Sequence, residues 1–150
     1  MTENAYVNHV PTLTGGVGKP QLYNFYSKHF ITQMPPDTIT TPISRTIGNN
    51  QIVDEMIFKF THTVTMDWML PGIKPTGKYV EVALVAIVHF TNDKISHEHI
   101  YWDQASVLLQ LGLLKQANAE NVALPVVGIE SAQKVFDSSL PAVGWDSDEL

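Results

Sequence analysis

Four histidines, His62, His89, His97 and His99, fall in the middle of the chain with Glu81 and Glu98 among them. Imidazoles and carboxylates together suggest metal ligation or proton transfer. On a strand His97 and His99 share a face, but Glu98 then points to the opposite one, and no compact ligand motif such as His-Glu-x-x-His is present. No metal site is therefore expected, and the histidines read as hydrogen-bonded polar groups of a pocket or core. Gly15-Gly16-Val17-Gly18-Lys19 has the look of a phosphate loop, yet Pro20 stands where Ser or Thr would meet magnesium, and the upstream glycine spacing is missing. Nucleotide binding is rejected. There is no Gly-x-Ser-x-Gly elbow, and without cysteine there is no thiolate nucleophile, thiolate ligand or disulfide.

Two other features bear on a site. Met66, Trp68, Met69 and Leu70 could form a deformable apolar lip over a hydrophobic ligand, or simply pack in the core. Glu81 interrupts an apolar strand. An unpaired buried charge is costly, so Glu81 should face solvent, a partner such as Lys59, or the cavity.

These side chains need elements to position them. Residues 5–10 read as a short strand ended by Pro11, and Gly15 to Gly18 as a loop. Pro20 suits a first helical turn, after which Leu22, Phe25, Tyr26, His29 and Phe30 recur at helical spacing until Pro35-Pro36. Residues 38–64 predict a hairpin around Gly48-Asn49-Asn50, with Met56, Phe58, Phe60 and His62 on the buried face of its second strand. A turn-rich connection over 66–78 leads to a nearly continuous apolar run, 79–91, expected of a central strand covered on both faces. The next strand, 94–103, places Ile95, His97, His99, Tyr101 and Asp103 on one side. A helix follows with Val107, Leu108, Leu111 and Leu114 as its stripe, and residues 129–137 allow a further turn or two. Strands grouped in this way indicate α+β rather than a wound parallel sheet.

The 150 residues fit one domain, expected over 1–137, with a mobile acidic tail over 138–150. A formal charge of −6 repels phosphate backbones, so nucleic acid is not an expected partner. The chain opens without a basic, then apolar, leader and has no run long enough to span a membrane. The absence of cysteine suits a reducing compartment, and a cytoplasmic location is expected.

The turn Leu70-Pro71-Gly72-Ile73-Lys74-Pro75-Thr76-Gly77-Lys78, the segment His97-Glu98-His99-Ile100-Tyr101-Trp102-Asp103-Gln104 and the closing Leu108-Leu109-Gln110-Leu111-Gly112 lie in this order within residues 68–114. Together they resemble the SnoaL-like polyketide cyclase family of the NTF2-like superfamily. The resemblance implies an NTF2-like, cystatin-like cone: a curved antiparallel sheet packed against helices around an apolar pocket. It implies Asp103 as the catalytic acid/base and His89, fourteen residues upstream on the preceding strand, as its partner. It also implies N-terminal helices, which are shortened or missing here, since only about five residues precede the first strand. That departure, and the tendency of such sheets to associate face to face, points to a homodimer.

Proton transfer is chemically reasonable at Asp103. Desolvation by Tyr101 and Trp102 would raise a carboxyl's pKa toward neutrality, and a neighbouring histidine could orient it or share the proton. The competing reading of Asp103 is an N-cap of the following helix. The expected function is acid/base catalysis on a small hydrophobic carbonyl compound, an aldol-type cyclisation or isomerisation needing no cofactor. His62, His99 or Tyr101 would donate to the enolate oxygen, and Trp68, Glu81 and Phe58 would contact substrate. The alternative is a non-catalytic NTF2-like ligand-binding or dimerisation module. A third reading, water addition to an epoxide or alkene, needs a second acid near Asp103, for which Glu81 and Asp67 are the local candidates.

Overall fold

In the computed structural model, which describes residues 1–117, 120 and 122–142, six strands form one sheet in the order β2-β1-β6-β5-β4-β3. The elements run β1 (Tyr6–His9), β2 (Thr14–Val17), α1 (Gly18–Asn24), β3 (Ile39–Ile47), β4 (Gln51–Thr61), β5 (Tyr79–Thr91), β6 (Lys94–Trp102), α2 (Gln104–Gln110) and α3 (Glu130–Phe136). The fold is α+β, with a curved, mixed sheet. Strands β3 to β6 pair antiparallel in sequence order, while β1 joins β6 in parallel. The parallel pair departs from the wholly antiparallel sheet expected above. The chain reaches β6 from β1 only through the rest of the sheet, so no tight turn dictates their relative direction.

The glycine-rich segment forms strand β2 instead of the expected loop, in register with β1 from Tyr6 opposite Val17 to His9 opposite Thr14. Gly15 has φ of 139°, and a Cβ there would overlap the Val7 carbonyl. The missing side chain is what lets β2 close onto β1.

The stripe from Leu22 to Phe30 does form a helical run, with Pro20 in its first turn, but it is α-helical only to Asn24. Phe25–Phe30 make a π-helical segment and Ile31–Gln33 a 3-10 turn. Phe25, Tyr26 and Phe30 meet as a mutual aromatic trio with ring centres 5.3 to 5.7 Å apart. This run follows the first hairpin, and Leu22 and Phe25 are buried against the sheet, so it supplies helical cover within the domain.

On the sheet's inner face Met56, Phe58 and Phe60 of β4 stand beside Leu84, Val82 and Val80 of β5. They join Trp68, Leu70, Trp102, Val107 and Leu111 in one core. On the outer face Ile57 is buried, and the Lys59 ammonium lies 5.0 Å from the Phe136 ring centre, which places α3 there. Only the first half of β5 is covered on both sides; Val85, Ile87 and His89 are half-buried. The helix expected near 129–137 is α3. Of the tail expected over 138–150, residues 143–150 lie outside the described residues. Among the described residues no helix is long and apolar enough to cross a membrane.

Candidate functional site

The inner face of the sheet, the helical run and the β4–β5 connection bound a cavity of about 410 Å³. Its sheet floor is Leu84, Ala86 and Ile100; Met56 and Phe58 come from β4, Phe30 and Met34 from the helical run. Trp68 of the connection, His9 of β1 and, at the start of β3 and just before it, Pro35, Thr38 and Thr40 complete the lining. The volume lies in the range that holds small organic ligands, about 300–1,000 Å³.

His9 is 2% exposed, and neither ring nitrogen has a hydrogen-bond partner among the described residues. Its neighbours are aromatic: the rings of Trp68, Phe25 and Phe30 lie 5.1, 5.8 and 6.0 Å away, centre to centre. Burial pushes the imidazole pKa down to about 4, so at neutral pH it is uncharged. A neutral imidazole carries one donor and one acceptor. His9 can therefore offer a hydrogen bond and accept a proton in the same apolar space. His9 was not among the residues singled out in the sequence. Its parity with Val7 is visible there, but that this parity faces a cavity depends on β1 pairing with β6.

Trp68 is also 2% exposed, and its indole nitrogen has no partner among the described residues. Its position on an irregular connection is nevertheless tightly set. The hydroxyls of Thr12 and Thr14 donate to the Trp68 carbonyl at 3.1 and 2.5 Å. At the preceding residue, the Asp67 amide donates to Gln33 Oε1 at 2.6 Å, while Gln33 Nε2 donates back to the Asp67 carboxylate at 2.9 Å. His29 Nδ1 lies 3.5 Å from the same carboxylate. The Met66–Leu70 stretch is thus fastened in place, with Met66, Met69 and Leu70 in the core and Trp68 lining the cavity.

The other sequence-derived candidates scatter. Asp103 is exposed and caps α2, accepting from the Ser106 amide at 2.9 Å. His89 lies on the outer face, stacked on His97 at 4.8 Å with ring planes 6° apart. The Ser96 hydroxyl donates to the His89 carbonyl, so His89 Nδ1 is left to donate to Ser96 Oγ at 2.7 Å. In the sheet register His89 sits opposite His97, six residues before Asp103, or about 20 Å along the strand. The structure does not bring His89 and Asp103 together.

His99 and Tyr101 also occupy the outer face; His99 Nε2 is 2.8 Å from the Tyr6 hydroxyl, and Tyr101 is half-exposed. Glu81 pairs with Lys59 at 3.5 Å and accepts from the Tyr79 hydroxyl at 2.8 Å, the second of the three alternatives open in the sequence. His62 is buried, and its Nδ1 accepts from the Thr76 amide at 3.3 Å, holding the Pro75–Gly77 turn. Of the named set, only Trp68 and Phe58 line the cavity. Among the described residues no group of three or more His, Cys, Asp or Glu side chains is arranged to hold a metal ion.

One further inner-face pair is ionisable. The Tyr26 hydroxyl donates to Glu98 at 3.1 Å; burial raises the pKa of Glu98, and burial together with Glu98 raises that of Tyr26. Glu98 shares the parity of Ile100 on β6, one step along the inner face.

A mixed sheet closed by helices around an inner cavity defines an NTF2-like, ketosteroid isomerase-like domain, and solved structures share it. A Catenulispora acidiphila protein of ketosteroid isomerase-like fold, determined in complex with trimethylamine, superposes with a TM-score of 0.58 at 13% identity, covering 76% of this chain and 78% of its own. A protein from Jannaschia sp. assigned as a SnoaL-like polyketide cyclase gives 0.59 at 16% identity, with 77% and 75% covered. TsrD from Streptomyces laurentii gives 0.56 at 15%, with 75% and 78% covered. At these identities the likeness is one of fold. No curated protein shows significant similarity to the chain. The family model of the SnoaL-like polyketide cyclases matches residues 1–111, and the chain belongs to that family.

Proposed function

We propose that this protein catalyses acid/base proton transfer on a hydrophobic carbonyl compound held in the inner cavity, with His9 moving the proton. The observation that carries the reading is His9 itself: a residue that lines an apolar cavity of ligand size and whose two buried ring nitrogens have no partner among the described residues. With its pKa held at about 4 by burial, His9 is neutral at physiological pH and takes up a proton only where negative charge, such as that of a bound enolate, develops beside it. Surrounding aromatic rings exclude water, which strengthens its interaction with charge developing on a bound enolate. The proposal places the chemistry at His9 because Asp103 and His89 do not line this cavity.

The test is hydrogen–deuterium exchange at the α-carbon of 2-tetralone, an enolisable bicyclic ketone, followed by NMR in D2O. The protein should accelerate exchange above the buffer rate, and His9→Phe should abolish the acceleration while the domain stays folded. Exchange that survives in His9→Phe would remove His9 from the mechanism.

One observation favours the alternative of a ligand-binding module. His9 is the only ionisable side chain among the described residues that line the cavity, so no second acid or base stands beside it there. Such a module would bind the ketone without exchanging its protons. The homodimer expected from the sequence belongs to the same proposal. The half-buried outer face around Tyr6, His89 and His97 supports it, and light scattering in solution tests it.

A further inference from the structure

We infer that the indole N–H of Trp68 is the oxygen-binding donor of this site, holding the carbonyl oxygen of the ligand while His9 works on the adjacent carbon. The inference rests on the proton-transfer reading and adds a second, separately testable contact. An indole nitrogen can only donate, so whatever meets it must be an acceptor. Buried N–H groups in folded proteins nearly always find one, yet Trp68 Nε1 has none among the described residues.

The backbone that carries this side chain is tied at several points. Two threonine hydroxyls hold its carbonyl, and Gln33 and His29 hold the residue before it. Fixing a donor in advance is what stabilisation of an oxyanion requires, because no reorganisation then accompanies the reaction.

The indole lies 5.1 Å from the His9 imidazole, centre to centre, so one small ligand can span both. Three polar positions result: the indole donor, and the donor and acceptor of neutral His9. They match an enolisable ketone. The α C–H bond breaks, its proton passes to the unprotonated nitrogen of His9, the bonding pair becomes the C=C bond of the enolate, and the C=O π pair moves onto the oxygen, where the indole N–H meets it. Return of that proton from His9 to carbon restores the ketone, and in D2O exchange of the protonated imidazole with solvent before the return delivers a deuteron instead. All three nitrogens are shielded from solvent, so the ligand must displace adaptable lining residues; Phe30 and Met34, at the end of the helical run, are placed to yield.

The test compares 2-tetralone with 2-methylenetetralin, which replaces the carbonyl oxygen with a CH2 group of similar shape. Wild-type protein should bind the ketone more tightly, by roughly fivefold to tenfold for one net hydrogen bond. Trp68→Phe should lose that preference and slow α-exchange on the order of 100-fold, with a smaller change in ketone affinity. His9→Phe should keep most of the preference and lose the exchange, which separates failure of this inference from failure of the His9 reading. Because Trp68→Phe perturbs the core, the wild-type indole 15N–1H spectrum provides a second measurement. One of the signals from the three tryptophans should move downfield with the ketone and not with the alkene. Equal binding of both ligands, an unmoved indole signal, or a Trp68→Phe protein that retains both preference and exchange overturns the inference. Failure of both ligands to bind overturns both readings.

Discussion

The imidazole of His9 and the indole of Trp68 lie 5.1 Å apart, centre to centre, with their planes tilted by 55°. Both residues line one apolar cavity, and their three ring nitrogens are buried without hydrogen-bond partners among the described residues. Folded proteins satisfy nearly all their buried polar groups, and departures from that rule collect at functional sites. Stability is sacrificed here, and four expectations follow from where the cost falls.

Replacing His9 by Phe should stabilise the protein. The substitution keeps a flat ring among Trp68, Phe25 and Phe30 and removes two unsatisfied nitrogens, each costing about 1–3 kcal/mol when buried. Urea denaturation at pH 7 should show a higher midpoint with an unchanged slope. A more stable yet inactive variant is the expected signature of a group retained for chemistry.

Stability should fall on mild acidification. Above about pH 6.5 His9 is neutral in both folded and unfolded chains. Between there and about pH 4 the unfolded chain takes up a proton that the folded protein refuses, so the loss grows as pH drops, to on the order of 3 kcal/mol. Below about pH 4 this contribution is exhausted. Comparing wild type with His9→Phe by thermal melts across that window isolates the effect, since the variant should lack this part of the slope.

Asp103→Ala should cost about 1 kcal/mol through loss of the α2 cap, while Asp103→Asn retains the cap and most of the stability. On the His9 reading, α-exchange survives in Asp103→Asn. Exchange lost in this folded variant would return the chemistry to Asp103.

Gly15→Ala should be strongly destabilising, by more than about 2 kcal/mol. The new Cβ meets the Val7 carbonyl, and the positive φ strains any side chain. Circular dichroism and amide exchange should show loosening of β1 and β2 first. Since β1 carries His9, binding of 2-tetralone should weaken in parallel.

Much of the frame was legible because local chemistry dictates it. The Gly48-Asn49-Asn50 turn joins β3 to β4, Pro20 opens a helical run, and the alternation Met56, Phe58, Phe60 marks an inner face. Asp103 shows both the reach and the limit of such reading: its capping role follows from the residues after it, whereas its distance from His89 does not.

The sequence by itself determined the fold class, the inner parity of β4 and the family, because these depend on period, turn chemistry and motif order, all of which are local. Only the tertiary structure decided the site. Register across β5 and β6 put His89, His97 and His99 on the outer face, and the parallel pairing of β1 with β6 carried His9 inward beside Trp68. Residues 59 positions apart in the chain became neighbours through sheet closure, a long-range event that no local pattern encodes.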